Sequence, residues 1–138
     1  MNGKCVSVIL LSVMLTAVGC GKAGHPKFPV SGEVTFDGSP VSEGMITFYR
    51  ADDGAYAAMI DGSGTFIVDA GLREGQYRVY IEPPPHVMTP PPAGGPPRDK
   101  PKSYPNFPEK YRQASTSGLL ATVEPDSSGN VFDFDMKP

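Results

Sequence analysis

A period-two alternation of apolar and polar residues, repeated in short segments, most constrains what this chain can fold into. In the segment 30–36, Val30, Val34 and Phe36 fall on one side of an extended chain. The segments 76–81 and 131–136 alternate in the same way. Successive side chains of a β-strand point to opposite faces, so each segment predicts a strand that buries one face.

Seven short strands with turns between them follow from this pattern. The tetrapeptide at 61–64, Asp-Gly-Ser-Gly, predicts a hairpin because glycine readily adopts positive φ, and residues 71–75 are expected to form a loop. Strands that each bury one face, with no helical period of useful length, predict an all-β sandwich. The predicted strands are 30–36, 45–50, 56–60, 65–69, 76–81, 119–123 and 131–136.

A proline-rich insert interrupts the strands at 83–108, where 11 of the 26 residues are proline. Proline has a fixed φ and no backbone N–H to donate, so this segment is excluded from the centre of a sheet. It is expected to be a long, partly extended excursion with local polyproline character.

The start of the chain has the organisation of an export signal. Lys4 is followed by an apolar run from Val6 to Val18, which is interrupted only by two serines and a threonine. Spanning a membrane takes about 20 apolar residues, so the run is too short, but it fits the apolar region of a secretory signal. Residues 1–19 are therefore predicted to be a signal peptide, followed by a tether at 20–29 and one domain at 30–136.

Ala17-Val18-Gly19-Cys20 resembles the bacterial lipobox, although Ala17 stands where that family usually has leucine. The resemblance implies that the Cys20 thiol receives a diacylglycerol, that the signal is cut before this residue, and that the new amino terminus is acylated. Each buried methylene contributes about 0.8 kcal/mol, so two or three chains hold a protein at a membrane where one does not. The alternatives are an ordinary secretory signal with a chance cysteine and an uncleaved anchor.

The net charge limits the classes of partner, and the cysteine content limits the disulfides that the chain can form. The formal net charge is −3, and it becomes −4 without the first 19 residues, because Lys4 is their only charged side chain. A mildly acidic protein is a poor partner for nucleic acid, since binding the phosphate backbone needs a basic face. Cys5 lies in the signal, so the mature chain has a single cysteine, Cys20, and no internal disulfide.

Several strand and turn motifs resemble the carboxypeptidase regulatory-like domain. They lie at 30–41, 44–48, 61–66 and 71–79, and the Phe-Asp-Phe-Asp sequence at 132–135 is typical of small bacterial lipoproteins with this domain. The resemblance implies a seven-stranded, Greek-key β-sandwich of the transthyretin-like (prealbumin-like) kind. It also implies a non-catalytic accessory or binding module rather than an enzyme.

Some relatives of that fold hydrolyse hydroxyisourate, using a histidine and arginine set and a Tyr-Arg-Gly-Ser ending. This chain ends Asp135-Met136-Lys137-Pro138, and its two histidines, His25 and His86, fall in the tether and the insert. Hydrolase activity is therefore the least favoured hypothesis for the function. No cofactor or metal site is predicted, because neither histidine has ligands at metal-binding spacing and the aspartates at 52–53 and 61 fit turns better than a calcium loop.

The insert is the predicted contact surface. Its basic and aromatic residues form a pre-extended segment that could bind a protein or an anionic polymer of the cell envelope at a low ordering cost. For these side chains themselves, the favoured interpretation is a solvated loop that packs Phe107 or Tyr111 over one end of the sandwich. The residues proposed to contact a partner are Arg98, Lys100, Lys102, Tyr104 and Phe107.

Together these features predict a lipid-anchored, non-catalytic structural or binding module of the cell envelope, on the cell membrane or the outer membrane and facing the periplasm or the exterior. Gly21 follows the cysteine in place of the aspartate that retains some lipoproteins in the inner membrane, which favours the outer membrane or the surface. The alternative function is a polysaccharide- or protein-binding accessory to an enzyme on another chain.

Overall fold

The computed structural model describes residues 24–85, 93–94, 103–126 and 128–138, and over these ranges the protein is all-β. Eight strands form two sheets, and the described residues include one short 3-10 helix, Glu109–Arg112, and no α-helix. The strands are β1 Phe28–Phe36, β2 Ser39–Pro40, β3 Gly44–Arg50, β4 Gly54–Ile60, β5 Thr65–Leu72, β6 Gly75–Glu82, β7 Leu119–Val123 and β8 Val131–Met136.

All seven predicted strands are confirmed, but several bounds differ from the prediction. β1 begins at Phe28, so the last two residues of the predicted tether belong to the first strand, and β6 begins at Gly75, the last residue of the predicted loop. Residues Ser39 and Pro40 form a two-residue strand that pairs with the end of β1, where only a turn was expected. β5 continues through Leu72 into the predicted loop, because the fully buried side chain of Leu72 extends the apolar face of the strand. The predicted signal peptide lies outside the described residues, as does most of the insert.

β1 is the central strand of the first sheet. Along one edge it pairs in parallel with β8, from Ser31 opposite Val131 to Phe36 opposite Met136. Its other edge pairs antiparallel with β5 and then with β2. This parallel pairing brings together β1 and β8, the first and last strands that the structure describes.

The second sheet is antiparallel, in the order β4-β3-β6-β7. β4 and β5 therefore belong to different sheets, and the hairpin predicted for residues 61–64 is wrong as a strand pairing, although the turn itself is present. Asp61 stabilises this turn by accepting hydrogen bonds from the backbone N–H groups of Ser63 and Thr65, at 2.8 and 3.0 Å. The turn carries the chain from one sheet to the other.

The two sheets pack face to face around one apolar core. Phe48 of the second sheet contacts Phe66 and Phe134 of the first, with ring centroids 5.8 and 6.4 Å apart. The inward residues predicted from the alternation are buried or packed against the core, including Ile46, Phe48, Tyr77, Val79, Ile81, Phe66, Val68, Phe132, Phe134 and Met136. The coarse prediction of an all-β, two-sheet fold is thus confirmed.

Strand directions define two ends of the domain. The proximal end holds the start of β1 and the connections at 51–53, 73–74 and 124–130, whereas the distal end holds the connections at 37–38, 41–43 and 61–64 and both junctions of the insert. At about 3.3 Å per residue, the nine residues of β1 separate the two ends by roughly 26 Å. The exposed residues 24–27 lead into the proximal end.

Candidate functional site

The structure places two of the predicted contact residues at the distal end. Tyr104 and Phe107 lie in the segment that returns from the insert to the sandwich. The other three, Arg98, Lys100 and Lys102, lie outside the described residues, as does the predicted lipidation site Cys20. The structure thus describes the two junctions of the insert with the sandwich.

Phe107 is a core residue rather than an exposed contact. Its side chain is only 3% exposed, and it packs where β3 begins. Gly44, at φ 144°, makes room for it, because a Cβ at this position would lie 2.8 Å from two atoms of the Phe107 ring. A partner at this segment would meet half-buried Tyr104 instead, whose ring stands edge-on to that of Phe107 with centroids 6.0 Å apart.

Hydrogen bonds hold residues 103–118, here called the return segment, against the sandwich. Arg112 donates from Nε and Nη2 to the Phe107 carbonyl oxygen, at 2.9 and 2.7 Å. Buried Tyr111 accepts a hydrogen bond at its hydroxyl oxygen from the backbone N–H of Lys137, at 3.0 Å. Ser117, also buried, donates its hydroxyl to the Val79 carbonyl of β6. The segment is thus tied to the second sheet and to the residues that follow β8.

A small recess of about 130 Å³ opens beside Tyr104, between this segment and the loop that precedes β3. Its volume matches about four water molecules in the liquid, so it can take one compact polar group. Its lining combines aromatic rings with hydroxyl, amide and carboxyl groups, which can donate and accept hydrogen bonds. The lining includes Ser42, Glu43, Ser103, Tyr104, Asn106 and Phe107.

The proximal end holds a buried carboxylate that the sequence patterns did not predict. The Asp53 side chain is 2% exposed and accepts a hydrogen bond of 2.5 Å from the hydroxyl of fully buried Tyr77. The Arg73 Nε lies 3.1 Å from Asp53 Oδ1, and the Arg50 Nη2 lies 3.9 Å from Oδ2. Tyr56 adds a longer hydrogen bond of 3.3 Å.

These contacts determine the protonation of the cluster. Burial acts to raise the pKa of Asp53, but the hydrogen bond from Tyr77 and the charges of Arg73 and Arg50 outweigh it and leave that pKa lowered. Burial and the hydrogen bond to Asp53 raise the pKa of Tyr77. Asp53 is thus an anion and Tyr77 a neutral donor at neutral pH, which is the arrangement of a structural ion cluster.

Arg50 connects the cluster to the connection between β5 and β6. It donates from Nη1 to the Glu74 carbonyl oxygen at 2.7 Å, and its guanidinium carbon lies 4.8 Å from the centre of the Tyr77 ring. Gly75 permits this approach, because a Cβ there would overlap Arg50 Nη1. A signal for the cluster did exist in the sequence, since an inward-facing tyrosine needs a buried partner for its hydroxyl.

The weaker chemical candidates show no arrangement for chemistry among the residues that the structure describes. The carboxylate of Asp61 accepts hydrogen bonds from Ser63 and Thr65 within its turn, and these lower its pKa. His25 is exposed in the tether, and His86 lies outside the described residues. Among the residues that the structure describes, no three of histidine, cysteine, aspartate and glutamate are grouped to hold a metal ion.

Comparison of the chain with protein-family models, with curated proteins and with solved structures found no match. Over the described ranges, no helix has the length and apolar character that crossing a membrane requires.

Proposed function

We propose that the protein is a lipid-anchored, non-catalytic binding module of the cell envelope that presents its proline-rich insert to a partner. Acyl chains on Cys20 would hold it at the cell membrane or the outer membrane. The insert, 83–108, would make the contact. The side chains that would touch the partner are those of Arg98, Lys100, Lys102 and Tyr104. The partner would be an envelope protein or an anionic polysaccharide.

The observation that carries this proposal is the position of the two segments at opposite ends of the domain. The tether enters β1 at the proximal end, and the insert leaves β6 and returns at the distal end, roughly 26 Å away. Seven residues separate Cys20 from Phe28, and fully extended they reach at most about 25 Å. A domain anchored through Cys20 would thus stay close to the membrane and present the insert away from it.

We also propose that the fold is the transthyretin-like Greek-key sandwich. The support is the parallel pairing of β1 with β8 in one sheet, opposite an antiparallel sheet of order β4-β3-β6-β7. Such a sandwich offers a rigid base for the insert, and Phe107, Tyr111 and Arg112 attach the return segment to that base.

Replacing the predicted lipidation site tests the anchor. We expect Cys20→Ser to abolish acylation, because serine lacks the thiol that accepts the diacylglycerol. Mass spectrometry of the amino-terminal peptide and detergent phase partitioning measure the effect, with Cys5→Ser as the matched control that keeps both the acyl mass and the detergent-phase partitioning. Unchanged partitioning of Cys20→Ser, with no acyl mass on the parent protein, would refute the anchor.

Photo-crosslinking in intact cells tests the contact surface. A photoreactive residue at Tyr104, near the end of the insert, is expected to give at least tenfold more crosslinked product than one at exposed Gln76, near the start of β6 at the proximal end. Analysis of the product distinguishes a protein partner from a polysaccharide serving a separate enzyme. Equal yields at the two positions, or a yield at Tyr104 that survives deletion of residues 86–102, would contradict a role centred on the insert.

A further inference from the structure

β4 is an open edge of the second sheet. It pairs with β3 through seven consecutive residue pairs, from Gly54 opposite Arg50 to Ile60 opposite Gly44, with no bulge. No other described strand pairs with it. Alternate residues of an antiparallel strand direct their backbone N–H and C=O groups to the same neighbour, so about half of these groups in β4 face away from the sheet.

The residues of β4 themselves lack the usual features that block association, and the nearest described cation stacked on the strand is Lys27, whose ammonium lies 4.8 Å from the centre of the Tyr56 ring. Edge strands are commonly protected by charged side chains, proline or bulges, whereas Gly54–Ile60 contains no charged residue and no proline. β8, an edge of the first sheet, carries two aspartates. Beside β4, a groove of about 760 Å³ lies between β4 and β5, with Met59 and Ile67 on its rim 57% and 60% exposed.

The side-chain sizes along β4 indicate what can pair with it. In an antiparallel pair of two β4 strands related by a twofold axis at Ala57, each residue faces the one equally far on the other side of the axis. Met59 then faces Ala55, and Tyr56 faces Ala58. At the ends, Ile60 faces Gly54. Every pair away from the axis joins a large side chain to a small one, and alanine meets alanine at the centre, so the strand is complementary to itself.

We propose that β4 is a homodimerisation edge, at which two copies of this chain pair antiparallel about Ala57. The second sheets of the two copies join into one continuous sheet, and Met59 of each copy is covered by the other. An isologous contact of this kind closes on itself, because each copy uses its β4 edge once. The β4 edge is separate from the insert, and pairing through it does not require the lipid anchor.

The proposed pairing determines which positions meet. Directly opposite residues of an antiparallel pair have Cβ atoms about 4.5–5.5 Å apart, so position 57 meets itself and position 55 meets position 59. The two copies of position 55 lie about 13 Å apart along the strands. Position 55 of one copy faces position 59 of the other, which is four residues from that copy's own position 55. Ala55, Ala57 and Met59 are all exposed, so cysteine substitution at each leaves the core unchanged.

Single-cysteine crosslinking tests the proposal in the full chain. Cys5→Ser and Cys20→Ser remove both native thiols, so the outcome is separate from lipidation. In this background, oxidation of Ala57→Cys is expected to give a disulfide-linked dimer. Ala55→Cys and Met59→Cys are each expected to crosslink poorly alone and at least fivefold better when mixed. Thr122→Cys, exposed on the opposite edge strand β7, is the matched control.

A charge on the edge supplies the reverse test. Adding Ala57→Lys to the mixed Ala55→Cys and Met59→Cys proteins places two lysines opposite each other and is expected to abolish their crosslink, while Thr122→Lys leaves it unchanged. Circular dichroism confirms that each variant is folded. Equal crosslinking at positions 57 and 122, or equal yields from the mixed and separate proteins, would overturn the proposal. Crosslinks only to a different protein would replace the second copy with another partner.

Discussion

Gly32→Ala is expected to prevent β1 and β8 from pairing. A Cβ at this position would overlap the backbone carbonyl oxygen of Phe132 and lie 2.7 Å from its carbonyl carbon. Gly32 pairs with Phe132 as the second of the six residue pairs in the β1–β8 ladder. The obstacle is backbone, so it cannot be relieved by a change of rotamer. Overpacking alone costs about 1–3 kcal/mol, and separating the ladder adds to this, so the free energy of unfolding should fall by about 3 kcal/mol or more.

Urea unfolding followed by circular dichroism measures this loss. Gly62→Ala is the matched control, because a Cβ there meets no atom within 4 Å and Gly62 has no positive φ. Its free energy of unfolding should stay within about 0.5 kcal/mol of the parent value or rise slightly, since alanine restricts the unfolded chain. Equal unfolding midpoints for the two variants would show that β1 and β8 do not approach each other in this way.

Asp53→Asn is expected to have the next largest effect. The substitution keeps the size of the side chain but removes the charge that Arg73 and Arg50 contact and weakens the acceptor of the Tyr77 hydroxyl. Removing one partner of a buried ion pair typically costs about 3–5 kcal/mol. The two guanidinium groups here are partly solvated, with 20% and 35% of their side chains exposed, so a loss of about 3 kcal/mol is expected.

The neighbouring aspartate is the control for this effect. Asp52 also contacts Arg50, at 2.8 Å, but its side chain is 75% exposed, and exposed ion pairs contribute about 0–1 kcal/mol. Asp52→Asn should therefore be nearly neutral in the same unfolding measurement. Similar losses for Asp52→Asn and Asp53→Asn would mean that burial of the Asp53 carboxylate is not what stabilises the cluster.

Acid provides a second readout of Asp53. Because its pKa is lower in the folded than in the unfolded protein, its stabilisation is fully present above the ordinary carboxyl pKa of 3.8 and is lost as the pH falls through the folded-state value. The stability difference between the parent and Asp53→Asn should thus shrink below about pH 4. Asp135, whose hydrogen bonds with Lys137, Gly38 and Thr35 lower its pKa to about 2, is unchanged in both proteins and cancels from that difference.

Strands were the most predictable part of this protein. β7 and β8 have the predicted bounds, and the predicted inward residues face the core, because alternation along a strand reflects which face is buried. The pairing of β4 with β5 was predicted wrongly, since the turn at 61–64 is the same whether the next strand joins its neighbour or crosses to the other sheet. Turn residues determine that the chain changes direction, whereas the packing of the two sheets determines which sheet the next strand joins.

The candidate sites were less predictable. Tyr104 and Phe107 lie three residues apart with the same aromatic character, yet one is half-buried beside a recess and the other is in the core. Gly44, 63 residues earlier in the chain, makes room for the Phe107 ring. Arg112 holds the Phe107 carbonyl oxygen with two hydrogen bonds. Asp53 was assigned to a turn because its partners Arg73 and Tyr77 become neighbours only in the folded chain.

By itself the sequence determined what depends on neighbouring residues: the period-two strands, the turns, the proline-rich insert and the lipobox-like segment ending at Cys20. The tertiary structure alone decided which strands share a sheet, the buried contacts of Asp53, the unprotected edge of β4, and the separation of the tether from the insert. The reason is physical. Alternation and turn propensity depend on residues a few positions apart. Strand pairing, side-chain burial and the placement of the tether and the insert at opposite ends depend on contacts between residues far apart in the chain.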